Sequence, residues 1–513
     1  MQLVLYFGRK PTLGGVPVKK HFPFLPLSAI LLTCLYPCAF IYLNNVNEAL
    51  FTDMLPMLGL FCLTGLILFG ASWLILRRAD AAGLFAALSM LLITNIGLVS
   101  SLLKYHISWM RDRYILLVGA ALLIGLFLLL LRKKKFPAKE FCGILSILFA
   151  ALTVIHIIPA IPTIYELITF DPPEAELSDT AFQGDKPNVY LFLVDEYGGG
   201  ENMRRYYDFD NEEFLSFLEE NRFNISDSTK NSESIWTSTL VPNLMNLDYY
   251  VRDSQPERVR LKYMDDPLLT RLFRENGYQV NLISHLDFIG EDAGTLLHQR
   301  QVPDRIGAYI LYNSAFSLFP HVNYYLEQWL GIHSLATQYY DTQEIFDCMM
   351  SCADHVGDGP TFTVSYVQSP HWPFLFDENG EFIYGGSEFL DHSIYLGQLT
   401  YVNKVLTASI ENILQQDPDS IIVLQADHGP RYPGQIKIYH NGPDYDPYVE
   451  TPYMQNALNC VYYRGQSLPI EGQTGINTWR LLLNETYGLE LEMIPAPEGY
   501  ISYGDTWEDL FAG

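Results

Sequence analysis

The chain has 513 residues, is 49% hydrophobic and carries a formal net charge of −26, which is room for more than one domain. The charge is unevenly split: 14 Lys and Arg stand against 5 Asp and Glu up to Tyr165, then 18 against 53. The acidic rear is a poor partner for nucleic acid, whose phosphates require Lys and Arg, and a poor electrostatic binder of membranes.

The front holds five long apolar stretches: Phe24–Leu43, Met54–Leu76, Ala82–Leu103, Tyr114–Leu131 and Phe141–Ile161. Each has about the ~20 residues that a helix needs to cross a bilayer. As buried core helices they would leave no amphipathic surface for water within 165 residues. A cleavable signal peptide is not expected, because the first stretch lacks an early small-residue cleavage site and four more follow it. Basic residues set the expected orientation. Arg9, Lys10, Lys19 and Lys20 precede the first span, Arg77 and Arg78 follow the second, and Arg132, Lys133, Lys134, Lys135 and Lys139 separate the fourth from the fifth. These fall on one side if the N-terminus is cytoplasmic; only the loop Lys104–Arg113, with three basic residues, runs against the pattern. An odd number of spans then puts the rest of the chain outside the cytoplasm. Cys34, Cys38, Cys62 and Cys142 lie in or beside the spans and act as small apolar residues. Among Cys348, Cys352 and Cys460, the local disulfide candidate is Cys348–Cys352, whose four-residue helical spacing gives awkward bridging geometry.

Asp171–Lys186, with its prolines and acids, reads as a linker. "PNVYLFLVDEYGGG" then opens a new pattern. Val189–Val194 is a short continuous apolar run, which suits a strand buried on both faces. "NEEFLSFLEENRF" has helical spacing, with Phe214, Phe217 and Leu218 on one side, and "DPLLTRLFRENGYQVNLIS" reads as a helix followed by a strand. "TFTVSYVQS" and "SIIVLQA" are further buried strands, separated by a helical pattern over Ser393–Leu414. The alternation predicts a parallel-rich α/β sheet.

In such sheets ligands gather beyond the carboxyl ends of the strands. Asp195 ends the first strand, His371 follows "TFTVSYVQS", and Asp427 and His428 end "SIIVLQA". Alone, an Asp-His pair reads as a turn. Recurrence of acids and imidazoles at strand ends points instead to two carboxylates and an imidazole around one divalent ion, Zn2+ or Mn2+. "NSESIWTSTLVPNLMN" supplies hydroxyls at Ser232, Ser234, Thr237, Ser238 and Thr239. They suit a helix cap or a nucleophile at a helix start, where an anionic substrate is favoured.

These four segments, "PNVYLFLVDEYG", "SESIWTSTLVPNLMN", "SPHWPF" and "VLQADHG", resemble in order and approximate spacing the sulfatase-type catalytic domain of the alkaline phosphatase superfamily. The preceding spans make the chain most similar to lipoteichoic acid synthase-like and phosphoethanolamine transferase-like membrane enzymes. "MQNALNCVYYRG" and "GINTWRLLLNETYG" look like C-terminal segments of membrane-bound sulfatase-domain proteins. The likeness runs from Pro187 to Tyr487 and covers the membrane part in layout only. It implies an α/β protein of three parts. Residues 1–165 would form a five-helix transmembrane bundle and residues 166–186 a linker. Residues 187–513 would form an extracytoplasmic, alkaline-phosphatase-like three-layer α/β/α domain. The chain would sit multi-pass in the inner or plasma membrane.

The resemblance further implies that Asp195, Thr237, Asp427 and His428 hold one metal ion, that Thr237 is the nucleophile and that His371 contacts the phosphate or the leaving group. Glu196 is the rival to Asp195, and Ser234 is the rival to Thr237, which stands nine residues before Asn246 in a "T…PNL" setting. The C/S-x-P-x-R motif of sulfatases does not stand in the nucleophile region, which argues against sulfate esters. A second metal would need His392 and Asp391, whose setting reads as an exposed helix start. The implied reaction moves a phospholipid-derived phospho-head group to a surface glycan, lipid or polymer through a phospho-threonine, with no other cofactor and no nucleic acid. The alternatives are a sulfatase-like hydrolase or phosphodiesterase and a non-catalytic glycan-binding membrane protein.

Overall fold

Each apolar stretch becomes a helix: α1 (Phe24–Asn44), α2 (Leu55–Leu76), α3 (Ala79–His106), α4 (Asp112–Arg132) and α5 (Ala138–Thr169). The structure is a computed structural model and describes residues 24–106, 112–173, 177, 181–231, 234, 236–284, 295–299, 305–331, 335–355, 359–383, 392–430 and 456–495. Ser232 and Asp391 lie outside the described residues, as do the basic residues ahead of α1. All five helices are long and apolar enough to cross a membrane. Large apolar side chains such as Leu122 and Ile147 point outward, as expected of helices whose solvent is lipid. Helix α5 continues past the expected end at Ile161 despite Pro159 and Pro162 inside it. Arg78 ties two connections together, since its Nη2 donates to Asp80 Oδ2 at 2.8 Å and to the Phe136 carbonyl at 3.0 Å. The α2–α3 and α4–α5 connections therefore lie at the same end of the bundle. All seven cysteines are free thiols, Cys348 and Cys352 included.

The chain divides into two compact units. One comprises Met1–Asn44, Met54–Ile158 and Tyr309–Asn323; the other comprises Asn45–Asp53, Pro159–Ala308 and Tyr324–Gly513. The second unit is built on a seven-stranded sheet. Its strands are β1 (Val189–Val194), β2 (Asn224–Ser226), β3 (Gln279–Ser284), β4 (Thr295–Gln299), β5 (Thr361–Val367), β6 (Ile421–Gln425) and β7 (Asn459–Tyr463). They lie in the order β2-β7-β6-β1-β5-β3-β4. Strands β6, β1, β5, β3 and β4 are parallel, while β7 runs antiparallel between β6 and the edge strand β2.

Strand β1 is central and buried along its whole length. Its alternate residues enter two cores. Tyr190, Phe192 and Val194 face α6 (Gly200–Tyr207), α7 (Glu212–Glu220), α13 (Leu335–Met350) and α14 (His392–Gln416). Val189, Leu191 and Leu193 face α8 (Thr237–Met245), α10 (Leu268–Glu275) and α15 (Gly475–Tyr487). Each fully buried side chain of this size contributes about 1.5–3 kcal/mol, so the continuous apolar run is what a two-sided sheet requires. The layering is α/β/α. On α7, Phe214 and Leu218 are buried and Phe217 packs at the margin. The end of the expected linker docks on this domain: Phe182 stacks on Tyr487 at 3.9 Å and its amide donates to Asn276 Oδ1 at 2.8 Å.

Candidate active site

Register decides which strand ends meet. Leu193 pairs with Gln425 and Val194 with Val367, so the chain leaves β6, β1 and β5 side by side. The Asp195 amide donates to the Val367 carbonyl at 3.0 Å. Asp195 and Asp427 thereby emerge on neighbouring strands, and one ligand atom each from Asp195, Asp427 and His428 lies within 4.8 Å of the others. All three residues are buried. His428 Nε2 is 3.6 Å from Asp195 Oδ1 and 3.6 Å from Asp427 Oδ2. Its Nδ1 donates to the Gly429 carbonyl at 2.8 Å, which leaves Nε2 as the ring nitrogen that faces the carboxylates. This is the arrangement that orients a metal-binding imidazole.

Burial pushes the Asp195 carboxyl well above the usual carboxylate range, and the charges of Asp427 and Glu196 push the same way; His428 and the Tyr366 hydroxyl oppose the shift. Tyr366 donates to Asp195 Oδ2 at 2.7 Å. Burial and the two carboxylates raise its own phenol well above normal, so it remains a donor. Asp427 Oδ1 accepts from the His428 and Glu196 amides at 2.9 and 3.3 Å. Asp427 Oδ2 is buried and accepts no hydrogen bond among the described residues. Among the described residues, no Lys or Arg pairs with Asp195 or Asp427. Two buried carboxylates with an oxygen left over are costly without a cation. The donor set of two carboxylate oxygens and a neutral imidazole nitrogen fits one divalent ion of the zinc or manganese type.

Thr237 is the first residue of α8 and its Oγ1 lies 3.5 Å from Asp195 Oδ1. Ser234, its rival, donates instead to Asp253 Oδ1 at 2.7 Å. Asp253 also receives Thr239, whose Oγ1 accepts from Arg260 Nη1 at 2.7 Å. This largely buried group holds the start of α8, while Thr237, among the described hydroxyls of this stretch, is the one that faces Asp195. Ser238 is buried at the same helix start. Glu196, the rival to Asp195, sits at φ 64°, a backbone conformation uncommon outside glycine. The turn sends the two acids apart: Glu196 Oε2 lies 3.8 Å from His371 Nε2. His371 is thus joined to the cluster through the residue that follows Asp195. His392 begins α14.

Several positioning residues carried no signal in the sequence. Tyr366 lies inside an apolar strand. Gln398 is buried on α14; it accepts from the Leu375 and Phe376 amides and donates to the Pro370 and His371 carbonyls, at 2.6 to 3.2 Å. That fixes the loop carrying His371. Asn231 donates to the Ala426 and Asp427 carbonyls at 2.8 and 2.9 Å. These polar side chains answer buried backbone groups, and nothing local in the sequence marks which carbonyl each will meet. A C/S-x-P-x-R pattern does occur at Ser254–Arg258. There Ser254 is exposed in a turn and Arg258 Nη1 donates to the Ala49 carbonyl at 3.0 Å, so this serine is no part of the buried cluster.

Among curated protein sequences none matches the chain. Similar solved structures include three at low identity. The zinc complex of the C-terminal periplasmic domain of EcEptC from Escherichia coli is 12% identical, with a TM-score of 0.40 over 62% of this chain and 87% of that one. The integral membrane protein lipooligosaccharide phosphoethanolamine transferase A from Neisseria meningitidis is 12% identical, with a TM-score of 0.39 over 86% and 87%. The phosphonate monoester hydrolase of Agrobacterium radiobacter is 12% identical, with a TM-score of 0.38 over 60% and 78%. The sulfatase family model matches residues 187–455, more than half of the chain, and the chain therefore belongs to the sulfatase family of enzymes.

Proposed function

We propose that this protein is a membrane-anchored phosphotransferase that moves a phospholipid-derived phospho-head group to an envelope glycan, lipid or polymer. The observation that carries the reading is Thr237: a hydroxyl at the first turn of α8, 3.5 Å from a carboxylate of a buried cluster of two acids and an imidazole. Asp195, Asp427 and His428, with Thr237, would hold the divalent ion, Zn2+ or Mn2+. When bound, such an ion lowers the pKa of a hydroxyl and offsets charge on a phosphoryl group. Thr237 Oγ1 gives up its proton to water and attacks phosphorus, while the bond from phosphorus to the departing lipid alcohol breaks. His371, within ion-pair reach of Glu196, delivers the proton that this alcohol needs. The first amides of α8, which a helix leaves without internal partners, favour the anionic group. An acceptor hydroxyl then gives its proton to His371 and attacks the phospho-threonine, the bond from phosphorus to Thr237 Oγ1 breaks, and Thr237 takes a proton back from water. A membrane anchor suits a lipid donor, since enzyme and donor share one surface.

The same basic-residue pattern that orients the spans supports an extracytoplasmic sheet domain. Protease added to intact, wall-stripped cells would remove that domain, and cleavage only after lysis would reverse the orientation. The reaction is tested with the full chain reconstituted with phosphatidylethanolamine and Mn2+ or Zn2+. Diacylglycerol release and a phosphate-linked adduct mapped to Thr237 are expected, with both lost in Thr237→Ala and both kept in Ser234→Ala. An adduct at another hydroxyl, or normal turnover in Thr237→Ala, would refute the nucleophile. Transfer of the head group to water alone would establish the hydrolase reading instead.

A further inference from the structure

The chain between β4 and α13 contains a segment, Tyr309–Asn323, that belongs to the helical unit. It comprises the end of α11 (Arg305–Tyr312), a 3-10 turn (Ala315–Leu318) and the start of α12 (Pro320–Trp329). Ala315 is buried with Ile96 of α3 and Ile115 of α4, and Phe316 stacks on Phe61 of α2 at 6.1 Å. The Gly97 amide donates to the Asn313 carbonyl at 3.0 Å. A Cβ at Gly97 would lie 2.7 Å from Asn313 Cα, so only glycine admits this approach.

These contacts fix the height of the segment along the bundle. Gly97 lies a rise of roughly 27 Å beyond Ala79 at 1.5 Å per residue. That is close to the ~30 Å thickness of a bilayer core. Ile115 is near the start of α4 and Phe61 in the first third of α2. All three mark the end of the bundle opposite the connections that Arg78 ties together.

The outward side of the segment is aromatic. Tyr309, Tyr312 and Phe319 are exposed, and α12 buries none of its ten residues. Val322, in the part of α12 that belongs to the helical unit, is exposed as well. A helix this short is marginal in water without packing for its apolar side chains. Tyr and Trp are the residues that collect at membrane–water interfaces, and helices with such a face lie in the interface plane.

We propose that Tyr309–Asn323 is a membrane-interface segment, whose exposed aromatic side chains rest in the phospholipid headgroup layer of the bilayer crossed by α1–α5. The bundle end to which Ala315 and Phe316 are packed supplies the lipid surface at the right height. The inference uses no step of the proposed reaction and stands or falls separately from it.

The test is nitroxide accessibility in the full chain, in nanodiscs of phosphatidylethanolamine and phosphatidylglycerol. Cys62→Ser and Cys348→Ser remove the half-buried native thiols. Phe319→Cys and Val322→Cys carry the label, with Leu122→Cys as a bilayer reference and Glu213→Cys as a water reference. Collision ratios for oxygen against a water-soluble nickel chelate are expected to fall between the two references at both positions. A ratio equal to either reference, at either position, would overturn the proposal. As a second measurement, benzoylphenylalanine in place of Tyr309 should capture phospholipid on irradiation; capture of a second copy of the chain instead would overturn it.

Discussion

Removing one oxygen atom, in Tyr366→Phe, separates the metal site from the fold. The hydroxyl donates to Asp195 Oδ2 at 2.7 Å, while Asp195 Oδ1 faces Thr237 and His428. Phenylalanine fills nearly the same space, so no cavity opens. The loss is one hydrogen bond to a carboxylate, worth about 1.5–3 kcal/mol when the carboxylate is charged. Without a cation, burial and Asp427 push Asp195 toward its protonated form, and a neutral carboxyl loses less. The penalty therefore falls mainly on the metal-bound protein. Partners that orient metal ligands typically contribute 10–100-fold in affinity, about 1.4–2.7 kcal/mol. A competition titration of the full chain with a fluorescent zinc chelator is expected to show that loss, while the thermal transition without metal moves little. Unchanged metal affinity with equal thermal destabilisation in both forms would refute the reasoning.

Asp427→Asn with His428→Ala is expected to abolish bound metal, measured by elemental analysis, without unfolding the chain; full retention would rule out the site. The pH dependence has a definite sign. Asp195 has its folded pKa raised, so the folded protein without metal holds more protons than the unfolded one. Its stability is fully present below the ordinary Asp pKa of about 3.9 and is lost as pH rises through the raised value. Thermal unfolding in chelator is expected to show this decline, and saturating metal to remove it. Gln398→Ala strips partners from two amides and two carbonyls of the His371 loop. It is expected to cost about 1–3 kcal/mol and to lower turnover while leaving metal affinity unchanged, read by denaturation and metal titration.

Local pattern was enough for the five apolar helices and for β1, β3, β5 and β6, but gave no strand at β2, β4 or β7. The membrane helices are legible because a bilayer demands long uninterrupted apolar runs, and β1, β5 and β6 because strands buried on both faces lose their alternation. Those runs also mark where each strand ends, so Asp195, His371, Asp427 and His428 could be singled out as residues at one sheet edge. Which of them meet is a matter of strand order and register, which periodicity does not encode. The sequence of β6, β1 and β5 across the sheet brings Asp195 beside Asp427. The left-handed turn at Glu196 separates two adjacent acids, one toward His428 and the other toward His371. Asp253 draws Ser234 away and leaves Thr237 facing Asp195. Tyr366, Gln398 and Asn231 act across many residues of chain, as does the docking of Ala315 and Phe316 in the helical unit. Contacts of that kind form only when distant segments pack, because each answers a buried polar atom or an apolar gap that the folded chain itself creates.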